Sequence, residues 1–156
     1  MNDFFRSQPA ALGDIGYWND KFYIKDISLP EYLAEQIASR VRMDFFEDKA
    51  LSESVVIKSS KGEYLSGGGK HYFQIAVQAE PQSLSQLRTD EMVNMVFKKT
   101  LEVAALVLHG YHFEEYDYIE MVDETSARTL KVTKDDTEKF RRNKLSFDNV
   151  LSQAGS

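Results

Sequence analysis

Two segments of the chain repeat their apolar residues at helical spacing. The first repeats them at every fourth position: Leu33, Ile37, Val41 and Phe45. This spacing puts the apolar side chains on one face of an α-helix. Ser28 and Glu31 precede the repeat at the separation of a capping box, which predicts a helix start at Ser28. We expect this helix to fray near Glu47.

The second helix is predicted from Thr89, a good N-cap residue, to Gly110, a typical stop signal. Its broad apolar face comprises Met92, Val93, Val96, Phe97, Leu101, Ala104, Ala105 and Leu108. Val103, Leu106 and Val107 widen that face, so we expect the C-terminal half to be buried on nearly all sides.

Residues 54–80 change to a period of two, which is typical of half-buried strands. The alternating apolar positions are Phe73, Ile75, Val77 and Ala79. Before them, residues 55–57 form a β-branched run, Ser59–Gly62 indicates a turn, and Glu63–Leu65 indicates a returning strand. Ser66–Lys70 is predicted to be a flexible loop. A further short strand is predicted at residues 22–27.

The last third of the chain predicts a strand from His112 to Val122, a hairpin connection and a return strand at Thr129–Thr133. A polar helix is expected from Asp135 to Lys144. The order of elements favours an α+β fold, with a mostly antiparallel sheet packed by two amphipathic helices. The predicted organisation is an extended N-terminal arm (1–20), a single domain (21–145) and a C-terminal tail (146–156).

The predicted arm is rich in aromatic residues, which disordered segments lack. Its aromatic side chains are Phe4, Phe5, Tyr17 and Trp18. We therefore predict that they anchor the arm on a surface. The sequence leaves open whether that surface belongs to the same chain or to a neighbouring subunit.

Composition and charge exclude several classes of function. The 156 residues include no cysteine, which excludes disulfides, thiol nucleophiles and thiolate metal sites. The 19 Lys and Arg against 25 Asp and Glu leave a net charge of −6, an unfavourable balance for sequence-independent nucleic-acid binding. The longest apolar run, Val103–Leu108, is too short to span a bilayer. We expect an intracellular, cytoplasmic protein that binds no membrane.

Candidate catalytic groups do not assemble into a recognisable motif. The Gly67–Lys70 stretch lacks both the spacing and the following helix of a phosphate loop. His109 and His112 are the best candidates for metal ligands, but we expect Gly110 to break the helix and make them diverge. The sequence predicts no cofactor and no metal site. A small hydrolase or a metal-dependent enzyme stays the alternative.

Charge is strongly segregated near the C-terminus. Residues 114–124 contain six acids and no base, and residues 139–144 contain four bases. The predicted partner-binding residues in these two stretches are Glu114, Glu115, Asp117, Arg141, Arg142 and Lys144. Such patches are typical of solvated faces, of contacts between copies, or of an acidic surface that imitates a phosphate backbone. Nucleic-acid binding by the basic helix is a further alternative.

Together these features favour a non-catalytic interaction protein that binds a protein partner or copies of itself. Two forms are predicted. One is a subunit of a larger assembly, such as a ring or tube component of a virus particle or a secretion machine. The other is a small acidic inhibitor or adaptor.

Overall fold

The computed structural model describes residues 28–83 and 89–154, and these residues form five helices and four strands. In chain order the elements are α1 (Leu29–Glu47), α2 (Lys49–Ser52), β1 (Val55–Gly67), β2 (Lys70–Pro81), α3 (Asp90–Gly110), β3 (Tyr118–Asp123), β4 (Arg128–Thr133), α4 (Lys134–Arg141) and α5 (Phe147–Ala154). The predicted arm (1–20) and the predicted strand at residues 22–27 lie outside the described residues.

The four strands form one sheet in the order β1-β2-β3-β4. The outer two pairings are antiparallel, whereas β2 and β3 run parallel. Parallel neighbours need a long crossover, and α3 supplies it. The predicted α+β class is therefore confirmed, with a mostly antiparallel sheet packed by the two amphipathic helices α1 and α3.

Both predicted helix starts are confirmed by their caps. The Glu31 amide donates to Ser28 Oγ at 3.4 Å, and Glu31 Oε1 accepts from the Ser28 amide at 3.3 Å. At the start of α3, Thr89 Oγ1 accepts from the Met92 amide at 3.1 Å. These bonds satisfy amide groups that have no partner within their own helix.

Strand β1 corrects the prediction for residues 55–65. The chain continues through Ser59–Gly62 as one strand with a bulge between Ile57 and Ser59, so the predicted turn is wrong. Gly62 serves helix packing instead. A Cβ added there would lie 2.0 Å from the carbonyl oxygen of Ala34 in α1, so α1 can approach β1 closely only where a side chain is absent.

The predicted loop Ser66–Lys70 is a tight hairpin. Gly67 already pairs with Lys70, which leaves Gly68 and Gly69 as the two turn residues. Their φ angles of 61° and 78° lie in the left-handed region, as in a type I′ turn. The glycine run therefore provides the backbone freedom that this short connection between β1 and β2 needs.

The strand predicted from His112 begins only at Tyr118. Helix α3 ends at Gly110 as predicted, but the left-handed residue that follows it is His112, with φ 55°. This reversal takes the chain out of the helix, and residues 113–117 then cross to the start of β3 without regular structure.

The segment predicted as a C-terminal tail contains helix α5. Phe147 and Val150 of this helix are buried in the core. The Phe147 ring lies 6.1 Å from that of Phe140 in α4. Helix α4 ends at Arg141, before the predicted Lys144, and Asn143 adopts a left-handed φ of 60° that redirects the chain into α5.

Candidate functional site

The acids predicted to bind a partner line a cleft at one end of the sheet. This acidic groove has a volume of about 690 Å³ and lies where β1 ends and β2 begins. Its lining comprises Tyr64, His71, Glu114, Glu115, Tyr116, Asp117, Thr133, Lys134 and Asp135. The structure therefore brings Glu114, Glu115 and Asp117 together.

Hydrogen bonds hold the irregular segment that carries these acids. Asp117 Oδ2 accepts from the His71 amide at 2.9 Å, and the Asp117 amide donates to the His71 carbonyl at 2.7 Å. The Tyr64 hydroxyl donates to the carbonyl of Glu115. Lys134 Nζ donates to the carbonyl of Glu114 at 2.8 Å. These bonds keep the backbone in place, while the three carboxylate side chains belong to exposed residues.

An aromatic cluster supports the acidic groove from inside the core. The ring of Phe73, which is fully buried, lies 5.0 Å from Tyr64. It lies 5.7 Å from Phe113 and from Tyr116, at steep interplanar angles. Tilted and edge-to-face pairs at these distances are favourable contacts. Packing in the core therefore positions the two tyrosines of the groove.

The groove raises the pKa of both tyrosines. Burial is the larger cause for Tyr116, and the negative charges of Glu138 and Glu114 add to it. Burial also raises the pKa of Tyr64, and the charges of Glu115 and Asp117 raise it further. Both effects disfavour the phenolate in the folded protein.

Because the pKa of Tyr116 rises above its usual value near 10 on folding, the folded state holds this proton more tightly than the unfolded state does. The resulting stability is present below pH 10 and is lost as the pH rises further. We expect wild type to lose up to about 1.4 kcal/mol more per pH unit above pH 10 than Tyr116→Phe. Urea unfolding at pH 8, 10 and 11 measures the difference. If wild type and Tyr116→Phe lost the same free energy of unfolding between pH 8 and 11, the raised pKa of Tyr116 would be contradicted.

The histidines do not form a metal site with other described residues. His109 and His112 do not diverge as expected, because their ring centroids lie 6.1 Å apart. Residues 28–83 and 89–154 nevertheless contain no group of three or more potential ligands that could hold a metal ion. The ring of His71 stacks on Tyr64 at 5.8 Å, with an interplanar angle of 2°.

Nearby acids balance part of the predicted basic patch. Arg141 Nη2 lies 3.0 Å from Glu138 Oε1, and Lys139 Nζ lies 3.2 Å from Asp135 Oδ2. Arg142 and Lys144 follow the end of α4 and are exposed. The structure thus separates the predicted bases: Arg141 packs along α4, and the other two lie in the turn before α5.

The largest departure from the sequence prediction is on the helical side of the molecule. Six large hydrophobic side chains of the described residues are exposed: Leu29, Tyr32, Met43, Phe46, Leu106 and Tyr111. Helix α3 was expected to be buried on nearly all sides of its C-terminal half, and this is wrong for Leu106, which is 63% exposed. The side of α3 that carries Leu106 is therefore open to solvent.

A groove between α1 and α3 lies beside Leu106. This helical groove has a volume of about 250 Å³ and is lined by Arg40, Asp44, Val103, Leu106, Val107, Gly110 and Tyr111. The rings of Tyr32 and Tyr111 meet edge to face at 6.3 Å near it. Burial and the neighbouring Tyr111 raise the pKa of Tyr32. Apart from Arg40 and Asp44, the lining of the groove is apolar or aromatic.

Charged pairs border the helical groove. Arg40 Nε lies 3.3 Å from Asp44 Oδ1, and Lys99 Nζ lies 3.8 Å from Asp44 Oδ2. Lys99 also lies 3.7 Å from Glu102. An apolar centre with a polar border of both signs is the usual anatomy of a protein interface.

A second cleft, the α3–α4 groove, lies on the other side of Leu106. It has a volume of about 240 Å³ and is lined by Glu102, Ala105, Leu106, Phe140, Arg141 and Asn143. Leu106 is thus a ridge between two grooves. This surface is not among the features predicted from the sequence. The one sequence signal for it is that Leu106 lies outside the buried apolar face of α3.

Comparisons with protein-family models, with curated proteins and with solved structures found no match to this chain. Within residues 28–83 and 89–154, none of the helices has the length and apolar character needed to cross a membrane.

Proposed function

We propose that the protein is a non-catalytic interaction protein and that it works as a subunit of a larger protein assembly. The observation that carries this proposal is the exposed apolar surface around Leu106, with a groove on each side of it. Exposing a leucine and neighbouring aromatic rings to water is unfavourable, and contiguous apolar surfaces with polar borders are typical of protein-binding sites.

The acidic groove supports the same function in a different way. Its carboxylates are exposed, so their attraction for a partner is screened by salt and contributes more to orientation and association rate than to affinity. We infer that Glu114, Glu115 and Asp117 face a basic part of the assembly. Arg142 and Lys144 would meet an acidic one.

A second candidate is an acidic inhibitor that occupies the basic cleft of another protein. The hydrogen bonds that hold the backbone of residues 114–117 in place favour it, because an ordered backbone loses less freedom when its carboxylates meet fixed cationic partners. Substituting the acids separates the two candidates. Glu114→Gln with Glu115→Gln should abolish binding by an inhibitor, whereas it should only slow the association of an assembly subunit.

The proposed function is tested by the mass of the native complex. Extracts of the native host, separated by size exclusion and probed with an antibody, should contain the chain in a species well above 17.9 kDa. Leu106→Asp should move it to lower mass, because the substitution puts a charge into the apolar surface. The proposal fails if the endogenous chain elutes at its own mass under all conditions, which the enzyme alternative predicts.

A further inference from the structure

We propose that the helical groove binds a second copy of this chain, so that Leu106 of each copy occupies the groove of the other. This inference rests on the proposed function, and it identifies the partner that binds at this surface as another copy of the same chain. A two-fold contact uses the same patch on both subunits, so the patch must carry both the protruding group and the cavity that receives it.

The surface around Leu106 meets this requirement. Leu106 protrudes, and the helical groove directly beside it is lined by apolar groups of Val103, Val107 and Tyr111. Gly110 also lines the groove and contributes no side chain to it, and a Cβ added there would meet no atom within 4 Å. The volume of about 250 Å³ is several times the roughly 30 Å³ of a water molecule, and it suits a branched aliphatic side chain.

Charge also favours a second copy at this position. The border of the helical groove carries two bases, Arg40 and Lys99, that pair with two acids, Asp44 and Glu102, so its charges cancel and present no net repulsion to a second copy. The acidic groove is the contrasting case, because two copies meeting there would bring carboxylates together. The net charge of −6 opposes any association between copies, and salt screens that repulsion.

The effect of salt on the association of two copies therefore distinguishes an apolar contact at the helical groove from a contact between charged stretches. An apolar contact between two acidic chains should persist or strengthen as salt rises from 50 to 500 mM. A head-to-tail contact between the acidic residues 114–124 and the basic residues 139–144 should weaken over the same range.

The experiment is sedimentation equilibrium of the purified full chain over a wide concentration range at both salt concentrations. The mass of wild type should approach twice 17.9 kDa.

Leu106→Asp should raise the dissociation constant by at least about a hundredfold, because two leucines leave the interface at once. Gly110→Leu should also weaken pairing, because it adds a bulky side chain to the lining of the groove. The matched control is Phe46→Asp, which loses an 84% exposed apolar side chain in a separate cleft between the end of α1 and β1 and should change the dissociation constant less than threefold.

Circular dichroism and thermal melting show whether each of the three variants is folded, which we expect because Phe46, Leu106 and Gly110 are all exposed. The proposal is overturned if wild type stays at 17.9 kDa at the highest concentration, if Phe46→Asp weakens pairing as much as Leu106→Asp, or if salt dissociates the pair. A monomeric wild type whose Leu106→Asp variant still leaves the native assembly would overturn the self-pairing and retain the proposed function.

Discussion

Substituting Gly62 with alanine is expected to lower the free energy of unfolding by about 3 kcal/mol. The added methyl group would lie 2.0 Å from the carbonyl oxygen of Ala34 and 2.6 Å from its carbonyl carbon, so it meets backbone and not a movable side chain. Helix α1 would have to shift away from β1. That shift would also strain the 2.7 Å hydrogen bond from Ser60 Oγ to the carbonyl of Ala38.

Gly67→Ala is the matched control for this substitution. It lies in the same strand, and an added Cβ would meet no atom within 4 Å. We expect a change within about 0.5 kcal/mol, as for an ordinary surface substitution. Urea unfolding followed by circular dichroism measures both variants. Equal stabilities of Gly62→Ala and Gly67→Ala would show that α1 does not pack on β1 as described.

Phe73→Ala is expected to destabilise the protein by about 4 kcal/mol, within the range for deleting a buried phenylalanine. The ring is fully buried and is the common neighbour of Tyr64, Phe113 and Tyr116. The loss is a large share of the 5–15 kcal/mol typical of a domain. It should also disturb the acidic groove, because the two tyrosines would lose the ring against which they pack.

Tyr72→Ala is the control for Phe73→Ala. Tyr72 is adjacent in β2 but points to the opposite face of the sheet, where it is half-buried and stacks on Tyr118 at 4.7 Å. We expect it to cost about 1 kcal/mol, the value of a cross-strand aromatic pair. Thermal and urea unfolding of both variants make the comparison. A smaller loss for Phe73→Ala than for Tyr72→Ala would contradict the position of the core.

The sequence predicted the elements whose signals are local. Helices α1 and α3 have both apolar periodicity and capping residues, and their starts were found at Ser28 and Thr89. The turn predicted at Ser59–Gly62 is wrong because the glycine at position 62 is needed for a contact with Ala34 of α1. Ala34 lies 28 positions earlier in the chain, so no local pattern shows this contact. Helix α5 was missed because a single turn of apolar residues, Phe147 and Val150, shows its burial only when the core is present.

The same distinction applies to the candidate surfaces. Glu114, Glu115 and Asp117 are close in sequence, so their common position in the acidic groove could be anticipated. The helical groove joins Arg40 and Tyr111, which are 71 positions apart, and depends on how α1 and α3 pack. The helical position of Leu106 sets it apart from the inward apolar face of α3, but its apolar neighbours Val103 and Val107 obscure that signal, because together the three predict a helix buried on all sides.

The most direct test of the account is site-specific photo-crosslinking in native cells, with a benzophenone side chain at Leu106. The matched control position is Thr125, which is exposed in the turn between β3 and β4, outside the acidic stretch and all the grooves described. We predict one discrete protein adduct from position 106 and none from position 125. No adduct from position 106, or the same adducts from both positions, would contradict the claim that this protein acts through the apolar surface of its helices.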